Sequence, residues 1–281
     1  MNTLRDADRV ALVKLLADED ATVHRLLKEK FLEMGSDARK FLETVAVGPQ
    51  SAARRGALEI LRAVQQHDAY QTFARFCAAS NTRFDLETGC WLLAKTRYPD
   101  LDDGPYRARL DEMARELRAR LTGREAPRAT IEVCNRYFFR RLGFRGNVQD
   151  YHDPDNSYLN RVLDRRLGIP ITLSSVYLLV GWRIGLPLQG IGLPGHFVVK
   201  WQSRAAQFYI DAFNDGRALD EADCREMCER YGQAFHRAFL EPATPRQMLL
   251  RMCRNLRAVY TENDFDRAEQ FSRFTSLLSR D

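Results

Sequence analysis

Residues 144–216 read FRGNVQDYHDPDNSYLNRVLDRRLGIPITLSSVYLLVGWRIGLPLQGIGLPGHFVVKWQSRAAQFYIDAFNDG, and the period of the chain changes inside them. As far as Gly185 the apolar residues recur at helical spacing. Beyond it Leu188, Gly190 and Gly192 alternate with Gln189, Ile191 and Leu193, which is a strand pattern. Pro194-Gly195 makes a turn, and HFVVKW (196–201) and FYIDAF (208–213) are two β-rich runs joined by a polar linker. The two runs predict an antiparallel hairpin. In the register that sets Lys200 against Gln207, His196 faces Asp211 with Cβ atoms roughly 4.5–5.5 Å apart. A shift of one residue would put them on opposite faces of the sheet.

The residues before the hairpin supply its support. His152-Asp153-Pro154-Asp155-Asn156 is dense in turn and capping residues. Leu159, Val162, Leu163 and Leu167 then define a helix, which Gly168 is expected to end. After Ile169-Pro170, Thr172 or Ser174 opens a second helix, carrying Val176, Tyr177, Leu178, Leu179, Val180, Trp182 and Ile184. A helix apolar nearly all round belongs in a core. The fold class that follows is α+β and mostly helical. A small antiparallel sheet from about 187 to 216 packs on the buried helix at 172–184.

Upstream, residues 1–65 read as four short helices. Gly35 suits a left-handed cap, Ser36 an N-cap, and Gly48-Pro49 a stop. DEDATVHRLLKEKF and GPQSAARRGALEIL are loosely similar at a spacing of about 30 residues, as in a pair of HEAT-type hairpins; an unrelated helical bundle fits the same pattern. Residues 66–143 continue in helices. Asp85 is placed to cap one of them, and another spans 105–122 between Pro105 and Gly123. The arginines at 107, 109, 115, 118 and 120 of that helix read as a solvated face rather than an anion site. Residues 144–240 form the core region just described, and 241–281 an αα-hairpin with Met248, Leu249, Met252, Leu256 and Tyr260 facing Ala268, Phe271, Phe274 and Leu278.

Composition sets bounds on function. A chain of 281 residues, 45% hydrophobic and 29% charged, is globular rather than disordered. A net charge of +5 from 43 basic and 38 acidic residues commits it to no nucleic acid. Six cysteines without paired spacing favour reduced thiols, and no apolar run approaches the ~18 residues of a membrane span. The opening residues do not form a signal peptide, so the expected compartment is the cytoplasm. No phosphate loop, dinucleotide fingerprint or metal-ligand spacing is present. Cys224 and Cys228 are four apart with no further ligand nearby, so no cofactor and no metal are expected.

A histidine backed by a carboxylate is the base and orienter of a nucleophilic triad. The element that should present the nucleophile, the start of the helix near 171, contains no cysteine. Three motifs, YHDPDNSYLNRVLDRRLGIPITLS, GLPGHFVVKW and YIDAFNDG, appear in this order, and the run resembles the SirB-type transglutaminase-like family, a papain-related core with a Cys-His-Asp triad. The resemblance is strong over about 144–220. It extends weakly upstream, and downstream into a tetratricopeptide-type tail. It implies that His196 and Asp211 stand at the catalytic His and Asp positions and that the superfold's cysteine falls near Pro170. It makes Tyr151, Asp153, Asn156 and Ser157 shared motif positions. These four, with Thr172 and Ser174, are the candidates for lining a cleft; turn formation, capping and packing are their simpler roles. Ala212 stands where the family usually has proline, which puts a fixed backbone at Asp211 in question. The expected function is a non-enzymatic regulatory or protein-binding module with a protein or peptide partner. Its rival is an acyl-transfer enzyme, or an amide or ester hydrolase, using the His-Asp dyad with a hydroxyl or displaced thiol. Neither reading fixes an oligomeric state.

Overall fold

A computed structural model of the chain describes residues 6–34, 36–79 and 84–280. The expected Gly35 cap, the Ser36 side-chain cap and the leader reading of the first residues lie outside what is described. The chain divides into two compact units, Met1–Arg75 with Lys95–Leu101, and Phe76–Ala94 with Asp102–Asp281.

In the first unit, α1 (Asp6–Leu16), α2 (Ala21–Met34), α3 (Ser36–Ala46) and α4 (Ser51–Ala78, with Phe76–Ala78 in the second unit) follow one another through short turns. Asp20 starts α2 by accepting from the Thr22 N–H at 2.6 Å. Leu16, Phe31, Leu42, Ala57 and Val64, all almost fully buried, make the core. Val10 and Leu26 lie on the outer side of their helices, 59% and 54% exposed. The fourth helix also runs on past its expected end near Val64. Nothing between Ala57 and Ala78 is glycine or proline, so no residue interrupts the hydrogen-bond ladder there.

The second unit holds α5 (Leu86–Lys95, with Lys95 in the first unit), α6 (Gly104–Arg118) and α7 (Pro127–Asn135), the last continuing as a wider π-type turn over Arg136–Arg141. Asp85 caps α5 as expected, accepting from the Thr88 N–H at 2.8 Å. The arginine-rich α6 ends at Arg118, short of Gly123, and Arg115, Arg118 and Arg120 are exposed as on a solvated face, with several of the five also paired. Arg107 pairs with Asp103 at 2.7 Å, Arg109 with Asp164 at 3.5 Å, and Arg118 donates to the Ile184 carbonyl at 3.0 Å.

Two short parallel strands, β1 (Arg145–Gly146) and β2 (Leu167–Gly168), bracket α8 (Leu159–Arg165). Gly168 is therefore a strand residue. Arg166, at φ 57°, ends α8 instead. Next comes α9 (Pro170–Arg183), with Pro170 in its first turn and Ile169 as its N-cap, so it opens ahead of Thr172. Pro170 to Gly181 are all buried, while Trp182 is 39% exposed. The sheet that packs on this helix is antiparallel throughout, in the order β3 (Leu188–Ile191), β4 (Val198–Gln202), β5 (Gln207–Asp211) and β6 (Arg217–Leu219). Trp182 Nε1 donates to the Leu188 carbonyl at 2.8 Å and fixes helix to sheet.

Beyond the sheet lie α10 (Glu221–Arg230), capped by Asp220, and the pair α11 (Pro245–Thr261) and α12 (Phe265–Leu278). The apolar residues expected to line that pair are buried. It is anchored to the core by the Tyr158–Tyr260 hydroxyl contact at 3.0 Å. The class is α+β, as the change of period implies.

Candidate functional site

The β4–β5 register is Lys200 against Tyr209 and Gln202 against Gln207, two residues away from the expected one. Asp211 thus ends β5, and His196 lies just ahead of β4, diagonal to it. A two-residue shift keeps side chains on the same face, and a diagonal pair is still within reach of an imidazole. His196 Nε2 sits 2.9 Å from Asp211 Oδ1. The histidine is 7% exposed and the aspartate fully buried. The two atoms are within hydrogen-bond distance, with the Nε2–H poorly aligned on Oδ1. Because Nε2 faces the carboxylate, Nδ1 is the nitrogen left for any reaction partner.

Asp211 is held mainly by its own turn. Its carboxylate accepts from the Phe213 N–H at 3.0 Å, the Asn214 N–H at 3.3 Å and Asn214 Nδ2 at 2.8 Å. The Gly216 N–H closes the loop onto the Asp211 carbonyl at 2.9 Å. These bonds set the backbone that a proline at 212 would otherwise restrict. Burial pushes the Asp211 carboxyl upward, but His196, Asn214 and the Phe213 N–H outweigh it and leave the pKa below the ordinary aspartate value. Phe213 roofs the dyad, its ring 6.0 Å edge-on from both His196 and Tyr151. It reaches there because Gly146 has no side chain: a Cβ would sit 2.6 Å from Phe213 Cε2.

Of the other candidates, Asn156, Ser157 and Thr172 are buried in a separate cluster, Ser174 is buried beside the His196 strand, Asp153 is half-buried and Tyr151 is 39% exposed. Asn156 donates to the Asp150 carbonyl at 2.7 Å and the Tyr151 carbonyl at 3.2 Å, and accepts from Asn147 Nδ2 at 3.0 Å. Thr172 donates to the Asn156 carbonyl at 2.7 Å and accepts from the Ile169 N–H at 3.1 Å, which joins the turn to the start of α9. Asp153 caps the 3-10 turn Pro154–Ser157 through the Asp155 N–H at 2.9 Å and pairs with Arg165. Ser157 is buried within that turn. Ser174 donates to the Phe197 carbonyl at 3.4 Å, and Ser175 to the Ile171 carbonyl at 2.7 Å.

The thiols are equally occupied. All six cysteines are free and buried. Burial pushes Cys77, Cys134 and Cys224 up to about 12, and raises Cys90, Cys228 and Cys253 as well. Among the described residues no three His, Cys, Asp or Glu side chains gather as metal ligands, and no helix is long and apolar enough to cross a membrane. Sequence reasoning missed Asn147, Phe213 and Arg251. The signal for Arg251 was its spacing, three residues after Met248 and next to Met252, close to the apolar stripe of its helix.

Much of this chain is similar in sequence to known proteins. The model of the transglutaminase-like superfamily matches residues 104–254. The chain belongs to that superfamily. A UPF0162 protein of Xylella fastidiosa (strain Temecula1) is 40% identical over 184 residues, covering 63% of this chain and 66% of the relative, just under two thirds of its length. A UPF0162 protein of Pseudomonas aeruginosa is 29% identical over 191 residues, 66% of this chain and 68% of that one. Mouse F-box only protein 21 is 30% identical over 186 residues, 63% of this chain but 28% of its own length. No solved structure matches.

Proposed function

We propose that this chain is a non-enzymatic regulatory or protein-binding module of the SirB-type branch, built on a transglutaminase-like core. The observation that carries the reading is that every candidate nucleophile is already committed. The thiols are buried with raised pKa values, and Thr172, Ser174 and Ser175 spend their hydroxyl protons on backbone carbonyls. The superfold's cysteine falls near Pro170, the first residue of α9, where a helix dipole would activate a thiol. The match to mouse F-box only protein 21, which occupies 28% of that protein, supports a unit that works inside larger assemblies. In this reading 1–65 is a HEAT-like helical region, 66–143 a helical lead-in, 144–240 the core and 241–281 a tetratricopeptide-like hairpin. Its free thiols suit the reducing cytoplasm.

The test is a panel of ester, amide and amine-transfer substrates offered to the wild type, His196→Ala and a variant with all six cysteines changed to serine. No turnover above background is expected from any of them. In parallel, a captured partner should remain bound by the His196→Ala/Asp211→Ala double variant. Turnover that disappears with His196 would establish the rival reading, an acyl-transfer or hydrolytic enzyme. That reading draws on the dyad's 2.9 Å separation. Loss of such turnover on cysteine removal would assign the nucleophile to a thiol.

A further inference from the structure

Arg251 lies on the inner side of α11, its Nη1 donating to the Leu193 carbonyl at 2.7 Å and its guanidinium 5.8 Å from the centre of the Phe197 ring. Other half-buried arginines of this unit have carboxylates: Arg183 has Glu87 at 2.8 Å and Asp111 at 2.6 Å, and Arg165 has Asp153. Among the described residues Arg251 pairs with no acid, and neither does Arg254 one turn further on. Both face a cavity of about 590 Å³ whose walls include Gly195 and Phe197, the two chain neighbours of His196.

The cavity wall also carries Gln247, Asn255 and Glu241, and its remaining lining is neutral. Two arginines against one glutamate leave a net charge of +1, which suits a monoanion better than a dianion. Gln247 uses its Oε1 on the Thr244 N–H at 2.8 Å, which leaves its amide donors free of that bond. A guanidinium taken partly out of water without a counter-ion is costly, and a planar fork of N–H donors matches a carboxylate in both shape and charge.

We infer that this cavity binds a carboxylate of a peptide partner, gripped by Arg251 with Asn255 and Gln247 beside it, so that the peptide lies against the His196 loop. The inference rests on the binding-module reading and names the chemistry that such a module recognises. Burial lowers the Arg251 pKa and outweighs the opposing effect of Tyr151 and Tyr231, with the nearby Arg254 acting in the same direction as burial. The carboxylate could belong to a chain terminus or to an acidic side chain, and the two are separable by experiment.

The full chain, labelled with ¹⁵N-arginine, is titrated while the Arg251 Nε–Hε resonance is followed. Four probes are used: N-acetyl-Ala-Ala with a free carboxylate, its C-terminal amide, N-acetyl-Ala-Glu-Ala-amide, and inorganic phosphate. A saturable shift is expected with the free acid, the glutamyl peptide or both, and none with the plain amide. Saturation by the first identifies a chain end, and by the second a side chain. Arg251→Lys should weaken binding about tenfold, because an ammonium cannot make the bidentate contact. Arg254→Ala, an exposed change, should weaken it about threefold. An Arg251 resonance that does not respond to carboxylates, one that responds equally to the amide, or one saturated by phosphate at lower concentration would overturn the site. The wild-type titration decides this even if Arg251→Lys folds poorly. Acyl turnover dependent on His196 would end the non-enzymatic reading and leave this site standing; an Arg251 indifferent to carboxylates would do the reverse.

Discussion

Two buried polar clusters sit within the same core, and they are satisfied in different ways. Around Asn156, each side-chain group meets a partner, two backbone carbonyls, the Asn147 amide and, through Thr172, the first turn of α9. Around His196 the carboxylate of Asp211 is fully engaged by its turn, while the imidazole is held close but out of line. The first cluster has nothing left to offer a ligand and serves as a clamp between the 147–157 turn and the buried helix. The second keeps part of its hydrogen-bonding capacity unspent.

The largest effect that tests this contrast is expected at Asp211. Asp211→Ala removes a fully buried carboxylate, the acceptor for the Phe213 and Asn214 N–H groups and the Asn214 amide, and leaves the buried His196 facing no acid; about 3–5 kcal/mol of stability should be lost, measured by urea denaturation. The milder Asp211→Asn gives a pH signature. Because the folded-state pKa of Asp211 lies below its unfolded value, the carboxylate contributes stability that is fully present above the unfolded value. That contribution is lost as pH falls through the folded one. The stability gap between wild type and Asp211→Asn should therefore narrow as pH drops below the ordinary aspartate value of 3.8. A gap that widened in acid would mean that the aspartate is a liability in the fold.

Asn156→Ala comes next. It strands the Asp150 and Tyr151 carbonyls and the Asn147 amide, with an expected loss of about 2–4 kcal/mol by the same measurement. Carboxylate binding at Arg251 should be unchanged in the folded fraction, since the clamp lies apart from that cavity's lining. Smallest of all is Ser174→Ala. Its hydroxyl makes one long bond of 3.4 Å, and its removal should cost about 0.5–1 kcal/mol. A loss as large as that at Asn156 would erase the distinction between a clamp and a packing hydroxyl.

Much of this molecule was determined by its sequence alone, for a local reason. The switch from helical period to alternation after Gly185 depends on adjacent residues, as do the capping carboxylates Asp85 and Asp220 and the stripe on α11, so the α+β class and most helices could be read directly. The pairing of His196 with Asp211 was legible for a related reason: side chains alternate along a strand, so a register error of two residues still leaves both on one face. Tertiary structure alone decided the rest. Alternation does not fix register, which is set across the turn. Arg166, not Gly168, ends α8, because the next two residues are claimed by pairing with Arg145–Gly146, a long-range contact that no local propensity encodes. Equally, the carbonyls that the Thr172 and Ser174 hydroxyls meet, those of Asn156 and Phe197, are brought to them by folding. Arg251 is set apart from the other arginines only where packing encloses it beside the His196 loop, because burial is a property of what arrives from elsewhere in the chain.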